Sequence, residues 1–223
     1  MTPDTSGQEG IVIFKIMTQE RIILQGGGEH ARVVVDSLLE SGHDVLAVFD
    51  PKYSGDLFGV PQKGTYQPDY EPQAKAIIAI GDNRVRKKVA LRTAHAFTNA
   101  IHRTATLSPR CSIGTGNMIL HGAIVQAQTR IGNHTIVNTG AQIDHDCIIG
   151  DFVHIAPGSV ICGTVTIGEG TFVGAGAVVI PGKKVGAWAT IGAGAVVISD
   201  VPDYAVVVGN PGRIIKYHPA ESL

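Results

Sequence analysis

Aromatic side chains make up 5% of this chain, with a single tryptophan, so its interior cannot rest on large stacked rings and must be filled by aliphatic and small residues. Cysteine is scarcer. Cys111, Cys147 and Cys162 are odd in number and lack CxxC spacing, which argues against a disulfide framework and leaves them as reduced core residues. The formal net charge is −1 and no lysine/arginine block occurs, so the broad electrostatic footprint of a nucleic-acid binder is missing. No apolar run approaches the roughly 20 residues that span a bilayer. The opening MTPDTSGQEGIVIFKIMTQE is acidic ahead of its short apolar stretch, the wrong order for a secretory signal. A cytoplasmic protein with small-molecule or protein partners is expected. Translation from Met17 is expected to be possible, with residues 1–16 dispensable.

What is present is a period. From Leu107 every sixth residue is a branched aliphatic, through Ile113, Ile119, Val125 and Ile131 and on without a skip to Ile191 and Val197. Four residues after most of them stands a small or β-branched partner, such as Ala123, Thr135, Ala141, Cys147, Ser159 and Ala177. Six fits neither the helical nor the strand period; it is the hexapeptide repeat of a β-helix, whose rungs bury their apolar faces only by stacking. The register never breaks, so no catalytic loop interrupts the coils and function must sit on their surface. Near VPDYAVVVGNPGRIIKYH, Pro202 and Pro211 end the rhythm, and the tail is expected to cap the open coil.

The preceding residues alternate differently. RIILQ reads as a strand, GGGEHA as a turn and ARVVVDSLLES as a helix stopping at Gly42; DVLAVF and AKAIIAI read as further strands, and GDNRVRKKVALRTAHAF as a second helix with Asp82 as its cap. NAIH reads as a short closing strand. This is a small Rossmann-like βαβαβ unit, expected over 21–103 after an extension of 1–20, with a left-handed parallel β-helix and C-terminal cap over 104–223. The fold class is mainly β with an α/β N-terminal part.

GGGEHA satisfies GxGxxA through Gly26, Gly28 and Ala31, a turn that lets backbone amides at a helix start approach a phosphate. Asp50 ends the second strand, where dinucleotide folds place a ribose or base contact. The unit is too short for two mononucleotide halves, which favours a nucleotide-sugar over NAD.

Together GGGEHARVVVDSL, IAIGDNRVRKK and NTGAQIDHDCIIGDFVHIAPGSVICG resemble bacterial nucleotide-sugar N-acetyltransferases that act on 4-amino-4,6-dideoxyhexoses carried on UDP or GDP, relatives of sialic acid O-acetyltransferases. The likeness covers Arg21 to Arg213. It implies acetyl-CoA as co-substrate, no metal, a homotrimer with active sites between subunits, and a role in surface polysaccharide or glycan synthesis. His145 of the DHD segment becomes the general base, with Asp146 supporting its imidazole and Asp144 able to help position it. If three hexads make a coil, residues 18 apart stack, and His145 stands between Ala127 and Gly163, whose N–H the resemblance makes an oxyanion donor. Coenzyme contacts pass to His154, Gly163, Ala175, Ala193, Gly209 and Pro211. Substrate contacts pass to Gly26, Gly28, His30, Asp50, Asn83, Arg86 and Asn138; Asn83 and Arg86 are also readable as purely structural residues of the loop and helix, and Asn138 equally as a turn residue. Glu29 departs from the family by replacing a glycine, which puts a carboxylate near the expected pyrophosphate. Lys183, Lys184 and Arg213 read as a solvated basic edge rather than as phosphate contacts, and Lys87 and Lys88 as solvated.

Three rivals remain. A γ-type carbonic anhydrase would need His121, His134, His145 and His154 to supply a zinc site, but their spacing does not match. A non-catalytic nucleotide-sugar-binding trimer would have no use for His145 beside a glycine. Sugar O-acetylation is the competitor within the same class.

Overall fold

A computed structural model describes residues 20–219. The expected N-terminal extension and its Met17, up to residue 19, lie outside the described residues.

Strand β1 (Arg21–Gln25) lies inside a five-stranded sheet, paired on both sides, and its apolar residues are buried on both faces. Helix α1 (Glu29–Glu40) leads to β2 (Asp44–Phe49), which pairs parallel to β1, as does β5 (Lys75–Ile78) on the other side. Between them lies a hairpin that the sequence reading left without structure. Its strands β3 (Gly55–Leu57) and β4 (Val60–Lys63) turn at Phe58 and Gly59, both at positive φ (53° and 85°), giving the order β3-β4-β2-β1-β5. Phe-Gly is an unusual filling for a turn that favours Asn-Gly or Asp-Gly, and Pro61 blurs the strand signal. Helix α2 (Asn83–Ala90) follows its expected cap, Asp82, which accepts from the Val85 N–H at 2.8 Å, but ends at Ala90 and does not run on to Phe97.

The reading of NAIH needs correcting. Ala100–Ile101 pairs with Met118–Ile119, residues 18 apart, and so forms the first rung of the solenoid instead of closing the α/β sheet. The α/β sheet meets this region through one bridge, Ala76 to Phe97. From there the chain winds as a left-handed β-helix whose two-residue strands each pair with the one 18 residues on, such as Ile124 with Gln142 and Gln142 with Val160. The hexad aliphatics and their small partners point inward; Ile119, Val137, Ile143, Cys147 and Ile161 are all 0% exposed.

The three faces of the coil differ. On the first, Met118 and Ile136 point outward yet are fully buried, because α1 lays Val34, Val35 and Leu38 across them. Each such side chain stabilises the seam by about 1.5–3 kcal/mol. On the third face the equivalent Ser112, Arg130 and Lys184 are exposed, and the second face carries Thr106, Gln142 and Val160. The coil closes with Ala205–Val208, against which Arg213–Tyr217 runs antiparallel.

Candidate active site

His145 stands where the chain turns from the second face (Gln142–Ile143) to the third (Ile148–Ile149). Asp146 turns this corner at φ 59°, its N–H bonded to the Ala127 carbonyl one coil earlier, while the His145 N–H donates to Asp144 Oδ1 at 2.8 Å. His145 Nδ1 lies 2.8 Å from Asp146 Oδ2. A carboxylate oxygen only accepts, so Nδ1 carries the proton and Nε2 of the neutral ring is bare. The hydrogen bond to Asp146 first, and then the charge of Asp144, raise the imidazole above its ordinary range. One coil on, a Cβ at Gly163 would fall 2.7 Å from both Nε2 and Cε1, so only glycine leaves the ring its place. The Gly163 N–H has no partner among the described residues. A groove of about 240 Å³ opens beside this corner, walled by Gln142, Asp144 and Cys162. Cys147 faces inward, fully buried, with its thiol donating to the Cys162 carbonyl at 3.2 Å and pushed up by burial, so it offers no thiolate.

A second concavity, about 460 Å³, opens at the start of α1, between the GGG turn and residues 50–53. Gly26 lies at φ 104°, and a Cβ there would strike Ile80 at 2.6 Å. Gly28 caps α1 with no side-chain bond, leaving its first amides toward the cavity, and Glu29 is exposed at the helix start. Asp50 lines this wall, but not as a free acceptor: its oxygens take the N–H groups of Gly27 and Lys52, each at 2.8 Å. The carboxylate therefore braces the turn, as does Gln62, which donates to the Gly27 carbonyl. His30 is held neutral, its pKa lowered to about 4 by burial and then by the charge of Arg86, and its buried Nε2 has no hydrogen-bond partner among the described residues.

Asn83 and Arg86 take the structural one of their two readings. Arg86 is 0% exposed, and its guanidinium donates to the carbonyls of Ile80, Gly81, His134, Phe152 and Val153 and to Asn83 Oδ1. The Asn83 amide in turn donates to the carbonyls of Gly170 and Thr171. With these hydrogen bonds made inside the protein, both residues dock α2 on the coil. Lys87 is also engaged, with Glu169.

His154 is buried on the first face, with Nδ1 3.2 Å from the Gly81 carbonyl and Nε2 3.2 Å from the Asn138 amide nitrogen. Burial, followed by the charge of Arg86, lowers its pKa to about 3, so it stays neutral, with Nδ1 donating and Nε2 accepting. Asn138 thus orients a histidine; its Oδ1 accepts the Thr139 N–H. Ala175 and Ala193 stack at the corner between the first and second faces, both exposed, and Gly209 and Pro211 are exposed near the end of the same coil stack. Lys184 points from the third face and Arg213 from the terminal hairpin.

The α/β unit covers the first face, whereas His145 sits at the corner opposite it. One chain therefore does not bring the phosphate turn and the histidine together. His121, His134 and His145 occupy three different corners and His154 a face, so no metal set of these four forms within a chain. Sequence reasoning missed Tyr53, beside Gly28, and a cavity of about 290 Å³ under α2 walled by Phe172 and Trp188, with Arg84 over the Trp188 ring. Phe172 and Trp188 are the clue, two large aromatics in a chain that has few.

Residues 21–93 match the PglD N-terminal domain, and residues 128–163 match the bacterial transferase hexapeptide of six repeats. PerB of Caulobacter crescentus, solved with CoA and GDP-perosamine, is 38% identical over 87% of this chain and 97% of its own, with a TM-score of 0.83. The acetyltransferase domain of PglB of Neisseria gonorrhoeae, solved also with acetyl coenzyme A, is 34% identical over 88% of this chain and 100% of its own, again at 0.83. An uncharacterized protein, L142, of Acanthamoeba polyphaga mimivirus is 33% identical over 95 residues; the chain spans 19% of the length of that curated relative. Among the described residues no helix is long and apolar enough to cross a membrane.

Proposed function

The chain belongs to the CoA-dependent, hexapeptide-repeat sugar N-acetyltransferases that carry a PglD-type N-terminal domain, and from that membership we propose that it acetylates the 4-amino group of a UDP- or GDP-linked 4-amino-4,6-dideoxyhexose. The observation that carries the reading is the bare Nε2 of His145, held by Asp146 over the methyl-free surface of Gly163.

In this mechanism the sugar amine attacks the thioester carbonyl while His145 Nε2 takes the proton the nitrogen sheds, a step typically worth about 10²–10⁴ in rate. Asp146 holds the tautomer and supports the imidazolium. The Gly163 N–H donates to the carbonyl oxygen as it becomes negative. Collapse of the tetrahedral intermediate breaks the C–S bond, and the imidazolium returns its proton to the departing thiolate, so no acyl group rests on Cys147. The turn at Gly26 and Gly28 and the neutral His30 receive the nucleotide diphosphate, and the exposed backbone at Ala175, Ala193, Gly209 and Pro211 lines the coenzyme path. Because the phosphate turn and His145 lie on opposite sides of one solenoid, a neighbouring copy must complete the site, which supports a homotrimer. Acetyl-CoA and nucleotide-sugars as co-substrates favour a cytoplasmic enzyme feeding polysaccharide or glycan assembly.

The test is a panel of UDP- and GDP-linked 4-amino-4,6-dideoxyhexoses with acetyl-CoA, following free thiol. Thiol release with an amino sugar and none with its hydroxyl counterpart supports the reading; release with the hydroxyl sugar alone makes the protein an O-acetyltransferase.

A further inference from the structure

Away from the proposed transfer site, two imidazoles and two carboxylates meet at the seam between the α/β unit and the first coils. Asp36 and Glu40 are four residues apart on α1, and so project from one side of the helix. His102 follows the first rung, and His121 stands where the next coil turns from the first face to the second. Donor atoms of Glu40, His102 and His121 lie within 4.8 Å of one another. His102 Nε2 is 3.1 Å from Glu40 Oε2, His121 Nε2 is 3.9 Å from Asp36 Oδ2, and the two rings stack at 3.7 Å.

Imidazole nitrogen and carboxylate oxygen are the donors that Zn²⁺ accepts at about 2.0–2.2 Å, which places neighbouring ligand atoms of a tetrahedral ion roughly 3.3–3.5 Å apart. The His102–Glu40 pair already stands near that spacing. What remains is a rotation of His121 off the stacked ring, since an ion must lie in the plane of each imidazole it binds. The His121 side chain is 31% exposed, with solvent on one side to turn into, whereas that of His102 is 1% exposed and fixed. Thr104 fixes it: its Oγ1 sits 2.7 Å from His102 Nδ1 and accepts the Gly122 N–H, and its backbone N–H donates to the same ring nitrogen at 3.2 Å. Two carboxylates against the single guanidinium of Arg103 leave the cluster net negative, and Arg103 is exposed enough to swing aside.

We propose that Glu40, His102 and His121, with Asp36 beside them, form a structural site for a divalent ion of the zinc class, clipping helix α1 to the first coils and taking no part in acetyl transfer.

The experiment uses the full-length, tag-free protein, stripped by dialysis against a chelator and titrated with Zn²⁺ in competition with a chromophoric chelator. Thermal unfolding is followed in parallel. One Zn²⁺ per chain and a raised unfolding midpoint are expected, with both retained in His145→Ala. His121→Ala and Glu40→Gln, at partly exposed positions that the fold tolerates, each weaken binding at least about tenfold and remove the rise in midpoint. The absence of saturable uptake by the unaltered protein overturns the proposal. So does uptake that is undiminished in both variants, or that is lost in His145→Ala.

Discussion

Replacing Gly163 with alanine adds one methyl group where the geometry leaves no room. Its Cβ would sit 2.7 Å from Nε2 and Cε1 of His145, whereas ordinary contact begins near 3.4 Å, so the ring must retreat by the difference, 0.7 Å, or more. The ring can do so cheaply, because the His145 side chain is 56% exposed and swings into solvent. Gly163 is not among the residues at positive φ, so alanine also meets no backbone strain, and the lost chain entropy of glycine even favours it by about 0.4–1 kcal/mol. The fold should therefore hold while the base is misplaced, and a displacement near 1 Å costs about 10² in rate. The assay is free-thiol release with the accepted amino sugar, alongside a thermal melt. A kcat lowered about 100-fold at an unchanged melting midpoint is expected. In a His145→Ala background the same methyl should cost nothing further, since the ring it displaces is gone. Wild-type turnover in Gly163→Ala, or an equal extra loss in the double variant, refutes the reasoning.

Three further outcomes follow from the same geometry. Asp146→Asn removes the first cause of the raised His145 pKa, so the acid limb of kcat/KM should move to lower pH and its plateau should fall; a limb that stays put or moves up contradicts the assignment. Cys147→Ala should keep most turnover, because the thiol faces the core, and loss of an acyl-enzyme species on substitution would argue otherwise. His30, His134 and His154 are neutral when folded, their values lowered to about 4, 4 and 3 by burial and then by the charge of Arg86. The unfolded chain takes up these protons near pH 6.5, so stability is lost as pH falls from about 6.5 toward 4, by about 1.4 kcal/mol per unit per group at most. Urea midpoints that are equal at pH 7 and 4.5 would sink this account.

The solenoid was legible because its rule is local: Ile143 and Ile161 declare an inward position by sequence spacing alone. The stacking of Gly163 on His145 followed from the same count of 18. The hairpin at Gly55 to Lys63 was not legible, since Phe58-Gly59 and Pro61 carry weak turn and strand signals. Ala100–Ile101 looked like part of the sheet before it, because a two-residue strand does not reveal its partner. For Asn83 and Arg86 the choice between a structural and a ligand role was not legible, for a different reason. Polar residues at a helix start read as ligand contacts, and the carbonyls that absorb them, at His134, Phe152, Val153, Gly170 and Thr171, come from coils up to 88 residues away. Apolar Met118 and Ile136 at outward positions were the one available sign that this face of the coil is covered.

The most direct measurement is turnover of His145→Ala with acetyl-CoA and the accepted amino sugar, read beside coenzyme affinity by calorimetry. A kcat reduced about 10²–10⁴-fold with coenzyme affinity nearly unchanged is the result expected of a general base. Turnover within a few-fold of the unaltered protein would contradict the account.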